Sequence, residues 1–455
     1  MEFTQKHWAV VGGGILGMQL ANRLAQQGQQ VTILEAGPAL GGLTAGWNAG
    51  ELAWDKFYHV ILLSDTALRG LLREIGLEKE TRWVETKTGF YTDGELHSMS
   101  DTLEFLRFPP LSLIDKLRLG FTIFYASKAR NWKRLEGIYV ADWLKRLSGE
   151  RAFDKIWLPL LRAKLGESYR QTSAAFIWAT IQRMYAARRT GLKKEMFGYV
   201  EGGYARILDG FARHLRAQGV RACTGFRASR VVSNDRGEVI VEDEHGNRSV
   251  FDQAILTVPS PVAARLCEGL SAEEAEKHRK IEYLGVACAS LFLKKSLSPF
   301  YVTNITDQSP FTGVIEMTNI VPASRFNGHA LVYLPKYAKS SDPIFRMSNE
   351  EIKTGFWKSL KAMYGKLAEE DLAGFRVARA PHVFALPTIG YSGKLPPVST
   401  SLPGVHILNS THIVNGTLNV NETLLLADRE LPGILQAGRQ QQYNNITINQ
   451  SPKNQ

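Results

Sequence analysis

Hydrophobic and polar positions change their period along this chain, and the changes mark out its elements. Residues Trp8–Val11 form an apolar run, Met18–Gln27 has a helical period, and Gln30–Glu35 is apolar again. Strand, helix and strand in quick succession predict a compact βαβ unit. Thr66–Ile75 reads as an amphipathic helix stopped by Gly76. From about Asp101 to Gly198 apolar residues recur at helical spacing, in Leu111–Tyr125, Val140–Leu147 and Phe153–Leu165, punctuated by Pro109-Pro110, Gly149 and Gly166. Gly202-Gly203 opens a further helix, Tyr204–Gln218, closed by Gly219. Alternation then predicts strands in Gly225–Val241, a hairpin around Glu244–Asn247 and a buried strand at Gln253–Val258. Tyr283–Leu334 is strand-like, Asn349–Tyr364 helical, Gly404–Asn409 another apolar strand and Glu422–Leu431 a helix. From about Gly438 the chain is polar and rich in Gln and Asn, which predicts a disordered tail over 438–455.

The length of 455 residues exceeds what one simple core serves and implies two closely connected domains. Cys223, Cys267 and Cys288 are widely spaced with no CxxC pair, so neither a zinc site nor a disulfide framework is indicated, and a reduced, cytoplasmic setting fits. His382, His406 and His412 have no metal-ligand spacing. The apolar run Trp8–Ala25 is broken by Gly12, Gly13, Gly14 and Gly17, which makes it strand, turn and helix, not a targeting segment. No apolar stretch is long enough to span a bilayer.

Charge changes the picture in one place. Of the net +11, the window Asp101–Val200 carries +10, from 19 Lys/Arg against 9 Asp/Glu. Apolar patches at Phe105–Phe108, Leu111–Leu113, Phe121–Tyr125 and Trp132 alternate there with Lys116, Arg118, Lys128, Arg130, Lys133 and Arg134. That mixture suits the interface of an anionic leaflet, with a solvated helical surface as the plainer alternative. No recognised nucleic-acid module accompanies the charge.

The strongest chemical signal is Gly12-x-Gly14-x-x-Gly17, lying between a strand and a helix. Gly12 permits the tight turn, Gly14 lets the backbone approach a pyrophosphate at the helix N-terminus near Ile15 and Leu16, and Gly17 lets helix pack on strand. Glu35, followed by Ala36, ends the next strand, where an acid holds a ribose hydroxyl and disfavours a 2′-phosphate. FAD and NAD share that moiety. The second glycine pair, Gly41-Gly42-Leu43, lets another loop pass close to the dinucleotide.

Taken together, Gly12–Gly17, Glu35 and Gly41-Gly42 resemble the FAD signature of flavin amine oxidases, protoporphyrinogen oxidases, phytoene desaturases and UDP-galactopyranose mutases. The resemblance implies an α/β fold: a discontinuous, Rossmann-like FAD domain of glutathione-reductase type, with an inserted α+β substrate domain and a basic helical subdomain. On that reading residues 1–90, 199–270 and 397–437 form the FAD domain, 91–198 the helical insertion and 271–396 the substrate sheet. It further implies that the strand near Ala228 reads the adenine edge, and that Asn409-Ser410-Thr411 stands where relatives carry Gly-Asp. Asn421 and Glu422 then open a helix aimed at the flavin, whose N-terminus favours the anionic reduced ring. No cysteine lies in this terminal segment, so the FAD is expected to be noncovalent. Only one dinucleotide fingerprint occurs, so the reoxidant is expected to be oxygen, a quinone or another protein.

The segment Asp55-Lys56-Phe57-Tyr58-His59 follows the glycine pair. By resemblance it passes near the flavin, making His59 and then Tyr58 the candidate catalytic groups; loop packing is the alternative for His59. Tyr333, Tyr337, Phe384 and Tyr391 could form an aromatic cage for an amine or ordinary core. Lys294 and Lys295 lie in the inserted sheet, and neither maps to the lysine that amine oxidases use near the flavin. The reaction expected is hydride transfer from a substrate C–H or C–N centre to flavin N5, on a small, lipophilic molecule, at a peripheral position on the inner membrane face. A non-redox mutase acting on a nucleotide sugar and a non-catalytic flavoprotein remain as alternatives.

Overall fold

The computed structural model describes residues 5–50, 52–187, 196–414 and 416–450. Its nucleotide-type sheet runs in the order Arg221–Thr224, Gln30–Glu35, His7–Val11, Gln253–Leu256, Val405–Ile407, every pair parallel. Those strands come from three distant parts of the chain, so this domain is discontinuous. Its strands are apolar along their length because both faces are covered. One face packs on the helices Ile15–Gln26 and Gly203–Ala217 and the start of Val420–Gln450, through Leu16, Leu20, Phe211 and Leu424. The other packs on an antiparallel meander of Ala228–Ser233, Val239–Asp243 and Arg248–Phe251.

A seven-stranded sheet forms the second domain, in the order Leu372–Ala385, Tyr283–Leu293, Ala330–Lys339, Gly313–Glu316, Val302–Ile305, Thr88–Thr92, Glu95–Ser98. The helix Asn349–Met363 covers one face through Ile352, Phe356, Trp357 and Leu360. The opposite face meets Trp54, Phe57 and Tyr58, from the segment that follows the glycine pair. A helical layer, with Leu113–Lys128, Val140–Ser148, Leu158–Leu165 and Ala174–Ala187 as its main members, has its own core of Trp143, Phe153, Trp157 and Trp178. Ser112 starts the first of these with a reciprocal capping box to Asp115.

Three expectations need correction. The boundary at residue 90 falls inside the strand Thr88–Thr92, which pairs with Val302–Ile305 and Glu95–Ser98 and so belongs to the second sheet. Apolar periodicity within one strand says nothing about which distant strand it joins. The helical layer begins at Thr102 rather than 91, and positions 188–195 of the expected insertion lie outside the described residues. The C-terminal helix does not stop at Leu431 but continues to Gln450. Its Gln-rich composition, which argued for disorder, is also compatible with helix, since Gln is a good helix former. Residues 451–455 of that tail lie outside the described residues.

Candidate functional site

The two glycine loops meet at the C-terminal ends of the parallel strands. Gly12 has φ +111°, a conformation open to glycine, and its amide donates to the Leu34 carbonyl at 2.9 Å. A Cβ on Gly17 would stand 2.0 Å from the Gly12 carbonyl oxygen, so no side chain is possible there. The Gly41 amide donates to the Gly13 carbonyl at 2.8 Å, joining the second loop to the first. Gly14 differs from its neighbours: a Cβ there would meet nothing nearer than Gly42 Cα at 4.0 Å. Its smallness therefore serves no packing need inside the protein. It keeps open a cradle at the N-terminus of the helix Ile15–Gln26, where backbone N–H groups await an anion. A dinucleotide pyrophosphate fits that cradle.

Glu35 sits beside it. Its Oε2 accepts from the Gly13 amide and its Oε1 from the Gly37 amide, both at 2.6 Å. Each oxygen keeps a second lone pair for a ribose hydroxyl. The Phe226 and Gly225 amides donate to the carbonyls of Glu35 and Gly37, which brings the strand of Ala228 to the same corner. Ile15 and Leu16 are buried at the helix start, whereas Ala36 is exposed. Gly42 is exposed toward Gly14, and Leu43 is half-buried behind it.

Two of the C-terminal residues have other duties. Asn409 is buried: its amide nitrogen donates to the Val258 carbonyl at 2.8 Å, and its oxygen accepts from the Thr411 amide at 3.0 Å. Its side chain thus builds the turn and is not a free donor for a pyrophosphate, contrary to expectation. Asn421 Oδ1 accepts from the Ala67 and Leu68 amides at 2.9 and 3.3 Å, capping the helix Thr66–Glu74 and locking it to the C-terminal helix. Asn419 is what caps the C-terminal helix, accepting from the Glu422 amide at 3.0 Å. Glu422 lies in the first turn, its carboxyl raised by burial against the opposing pull of Arg183.

The candidate catalytic segment hangs from this frame, because the Lys56 amide donates to the Ala45 carbonyl, three residues beyond Gly42. Asp55 is buried and accepts from the Tyr204 amide at 3.2 Å; Tyr333 donates its hydroxyl to the Asp55 carbonyl at 2.8 Å. Burial raises the Asp55 carboxyl to about 7, only partly offset by the Tyr204 amide. His59 lies 4.0 Å from it, with Nδ1 buried and without a hydrogen bond of normal geometry among the described residues, and burial lowers the ring to about 4. Near pH 7 the imidazole is neutral and Asp55 is poised to hold or release a proton. Tyr58 donates to or accepts from Tyr337 at 3.0 Å, and burial raises its hydroxyl to about 12.

The aromatic residues stand in different surroundings. Tyr391 is core, donating to the Thr411 carbonyl at 2.7 Å. Tyr337 and Phe384 do form a cage, but it holds a cation of the chain itself: Lys164 Nζ lies 3.4 Å from the Tyr337 ring centre and 5.4 Å from that of Phe384. Lys164 is one of the 19 basic residues of the window Asp101–Val200, half-buried here, and no signal in the sequence singled it out. Lys294 and Lys295 lie just beyond the strand Tyr283–Leu293, and Lys295 pairs with Asp371 at 2.9 Å. No group of three or more metal-ligating side chains occurs among the described residues.

The model of the family described as flavin containing amine oxidoreductase matches residues 17–407. Coproporphyrinogen III oxidase of Mycobacterium tuberculosis is 26% identical over 340 residues, covering 70% of this chain and 73% of that one. Among solved structures, an oxidoreductase from Methanosarcina mazei superposes with a TM-score of 0.73 at 18% identity, over 94% of this chain and 100% of that one. Reduced UDP-galactopyranose mutase superposes with a TM-score of 0.70 at 15% identity, over 96% and 99%. These two likenesses speak for the fold alone. The extent of the family match carries the conclusion: the chain belongs to the flavin-containing amine oxidoreductase family and is a flavin-dependent oxidoreductase similar to coproporphyrinogen oxidase.

Proposed function

We propose that the flavin is FAD, held without a covalent bond, and that it takes a hydride from a C–H or C–N centre of a largely apolar, ring-bearing small molecule. The observation that carries this reading is the open cradle at Gly14, flanked by Glu35 and Gly42. Residues Gly12–Gly17 and Gly41–Gly42 would hold the pyrophosphate, Glu35 the ribose, and the C-terminal helix beginning at Val420 the flavin end. When bound, FAD supplies the electron chemistry. The protein's share is to exclude water with Tyr58, Tyr333 and Tyr337 and to manage a proton at Asp55 and His59. No cysteine occurs in 397–437 to form a thioether. Heat denaturation of the purified protein is expected to release all yellow colour into the supernatant as FAD. A colour that stays with the precipitate would refute noncovalent attachment, and released FMN, or a protein that is colourless and refuses added FAD, would refute the cofactor. Full turnover without net electron transfer, needing only prior reduction, would favour a mutase.

The helical layer supports a second proposal, attachment to an anionic membrane. Leu113, Ile114, Leu117, Phe121 and Phe124 lie on one face of the helix Leu113–Lys128, and each is more than half exposed. Leu103 and Leu106 of the preceding helix are exposed as well, as are the basic residues Arg107, Arg118, Lys128 and Arg130 of the same stretch. An apolar face with a basic rim matches an anionic leaflet. The membership differs from expectation, and Phe105, Ile123 and Trp132 are half-buried against the core of the helical layer. Phe108 and Leu111 are buried, and Lys116 is turned inward, donating to the Leu106 carbonyl at 2.7 Å. No helix among the described residues is long and apolar enough to cross a membrane.

A further inference from the structure

Three distant segments meet where the helical layer joins the first domain. Arg183 stands near the C-terminal end of the helix Ala174–Ala187, and its guanidinium reaches Asp65 Oδ2 at 3.3 Å. Asp65 directly precedes the helix Thr66–Glu74; its side chain is 5% exposed, and the same oxygen accepts from the Leu62 amide at 2.9 Å. Asn421 meets that helix end through the Ala67 and Leu68 amides, which brings its neighbour Glu422 to the same corner. Glu422 is confined from another side, because a Cβ on Gly416 would stand 2.9 Å from its Oε2. Leu62 lies in the short strand Ile61–Leu62, which pairs with Met196–Val200, the strand on which the chain returns from the helical layer.

Two carboxylates buried at one corner repel each other and lose hydration, so they need a cation. Burial raises both Asp65 and Glu422, and Arg183 is the first group that pulls each of them down. Arg429 also faces Glu422, but it is committed to Glu430 at 2.8 Å and to the His412 carbonyl at 3.2 Å. Tyr204 faces the corner too, its hydroxyl pushed upward by burial and then by Asp55 and Asp65. The turn that carries Arg183 is itself fixed to the helical layer, since Gln182 donates to the Ala126 carbonyl at 2.6 Å. Ala126 belongs to the helix Leu113–Lys128, which carries the exposed Leu117 and Phe121. Among the described residues the layer's other ion pair to its surroundings, Lys155 with Asp93, is exposed on both sides.

We infer that Arg183 is a positioning residue for the flavin reaction: it holds Asp65 and Glu422 as compensated carboxylates at the start of the C-terminal helix, and so fixes both the seat of the helical layer and the charge that the flavin meets. The inference rests on the reading above in which the helix beginning at Val420 faces the flavin end. A guanidinium suits this duty because it stays charged at every working pH and spreads several donors over more than one acceptor. Without it the corner either takes up a proton or presents uncompensated negative charge to the flavin, which disfavours the anionic reduced ring.

Two measurements test it. The first is thermal melting of the protein as purified. Arg183→Gln leaves Asp65 buried without its cation, and Asp65→Asn removes that charge, so the double variant is expected to melt at or above the temperature of Arg183→Gln alone. Additive losses, or a double variant that fails to rescue Arg183→Gln, would overturn the pairing. The second is the redox equilibrium of the flavin with a reference dye. At about pH 8.5, Arg183→Gln should move it at least about threefold toward oxidised flavin, and less at about pH 6, where protonation of the acids replaces the lost charge. Arg183→Lys should keep the parent equilibrium. No shift in Arg183→Gln, or an equal shift at both pH values, would overturn the positioning role, because a loosened fold has no reason to follow these two acids. The two readings fail separately. A protein that takes up no FAD overturns the cofactor, and the melting cycle then decides on Arg183; a yellow protein with additive losses overturns Arg183 alone.

Discussion

The wall of the site made by the glycine loops and the wall made by the inserted sheet and helical layer are built by opposite means. The first is backbone: Gly12, Gly14, Gly17, Gly41 and Gly42 work by what they lack, and contacts as short as Gly13 carbonyl to Gly41 amide leave no freedom. The second is side chain: Tyr58, Tyr337, Phe384, Phe176 and Lys164 converge from five separate segments and work by what they bring. A backbone wall suits a group that every member of a family shares, here the flavin cofactor, proposed to be FAD. A side-chain wall can change by substitution without moving the frame, which is where substrate choice is expected to reside.

The comparison can be broken most severely on the backbone side. Gly17→Ala sets a methyl on the Gly12 carbonyl and is expected to cost the folded state itself, read as loss of soluble, cooperatively melting protein. Gly14→Val has open space on the protein side, so it should fold, melt cooperatively and yet be colourless. A yellow Gly14→Val, or one as unstable as Gly17→Ala, would mean that the cradle is not where the pyrophosphate lies.

An intermediate effect is expected on the outer surface of the helical layer. Leu117→Glu with Phe121→Glu places two charges on an exposed face, so stability should change little. Co-sedimentation with vesicles containing phosphatidylserine at low salt should fall by about tenfold or more, given the area lost and the repulsion gained. Unchanged co-sedimentation, or none by the parent, would remove the membrane from the account.

The smallest effect tests where the two walls touch, at Asp55 and His59. Asp55 is raised to about 7, so in the folded state it keeps a proton that the unfolded chain releases, and stability falls as pH rises from about 4 to about 7. His59 is lowered to about 4, so the unfolded chain binds a proton that the folded state refuses, and stability rises from about pH 4 to 6.5. The two slopes oppose each other, each at most about 1.4 kcal/mol per pH unit. Relative to the parent apoprotein, Asp55→Asn should tilt the melting temperature upward with pH in that window and His59→Gln downward. Tilts of the same sign in both variants would contradict the assigned environments.

Much of the frame was legible from local pattern. The βαβ unit, the helices Thr66–Glu74, Gly203–Ala217 and Asn349–Met363 and the helical layer follow from periodicity and glycine punctuation, because those signals act within a few residues. Gly12-x-Gly14-x-x-Gly17 and Glu35 were equally legible, since the spacing of a nucleotide loop is a property of the backbone on either side of it. Other facts were beyond its reach. Asn409 looked like a donor, and folding surrounded it with Val258, Thr411 and Tyr283. Asn421 looked like a flavin contact, and its oxygen went to the amides of Ala67 and Leu68. Lys116 looked like a surface charge, and it turned inward to the Leu106 carbonyl. By itself, then, the sequence determined the cofactor-type loop and the elements that carry it, for there the chemistry is local. Which polar groups were spent on the protein and which were left for a ligand was decided only by tertiary structure, because a side chain's partners come from segments hundreds of residues away.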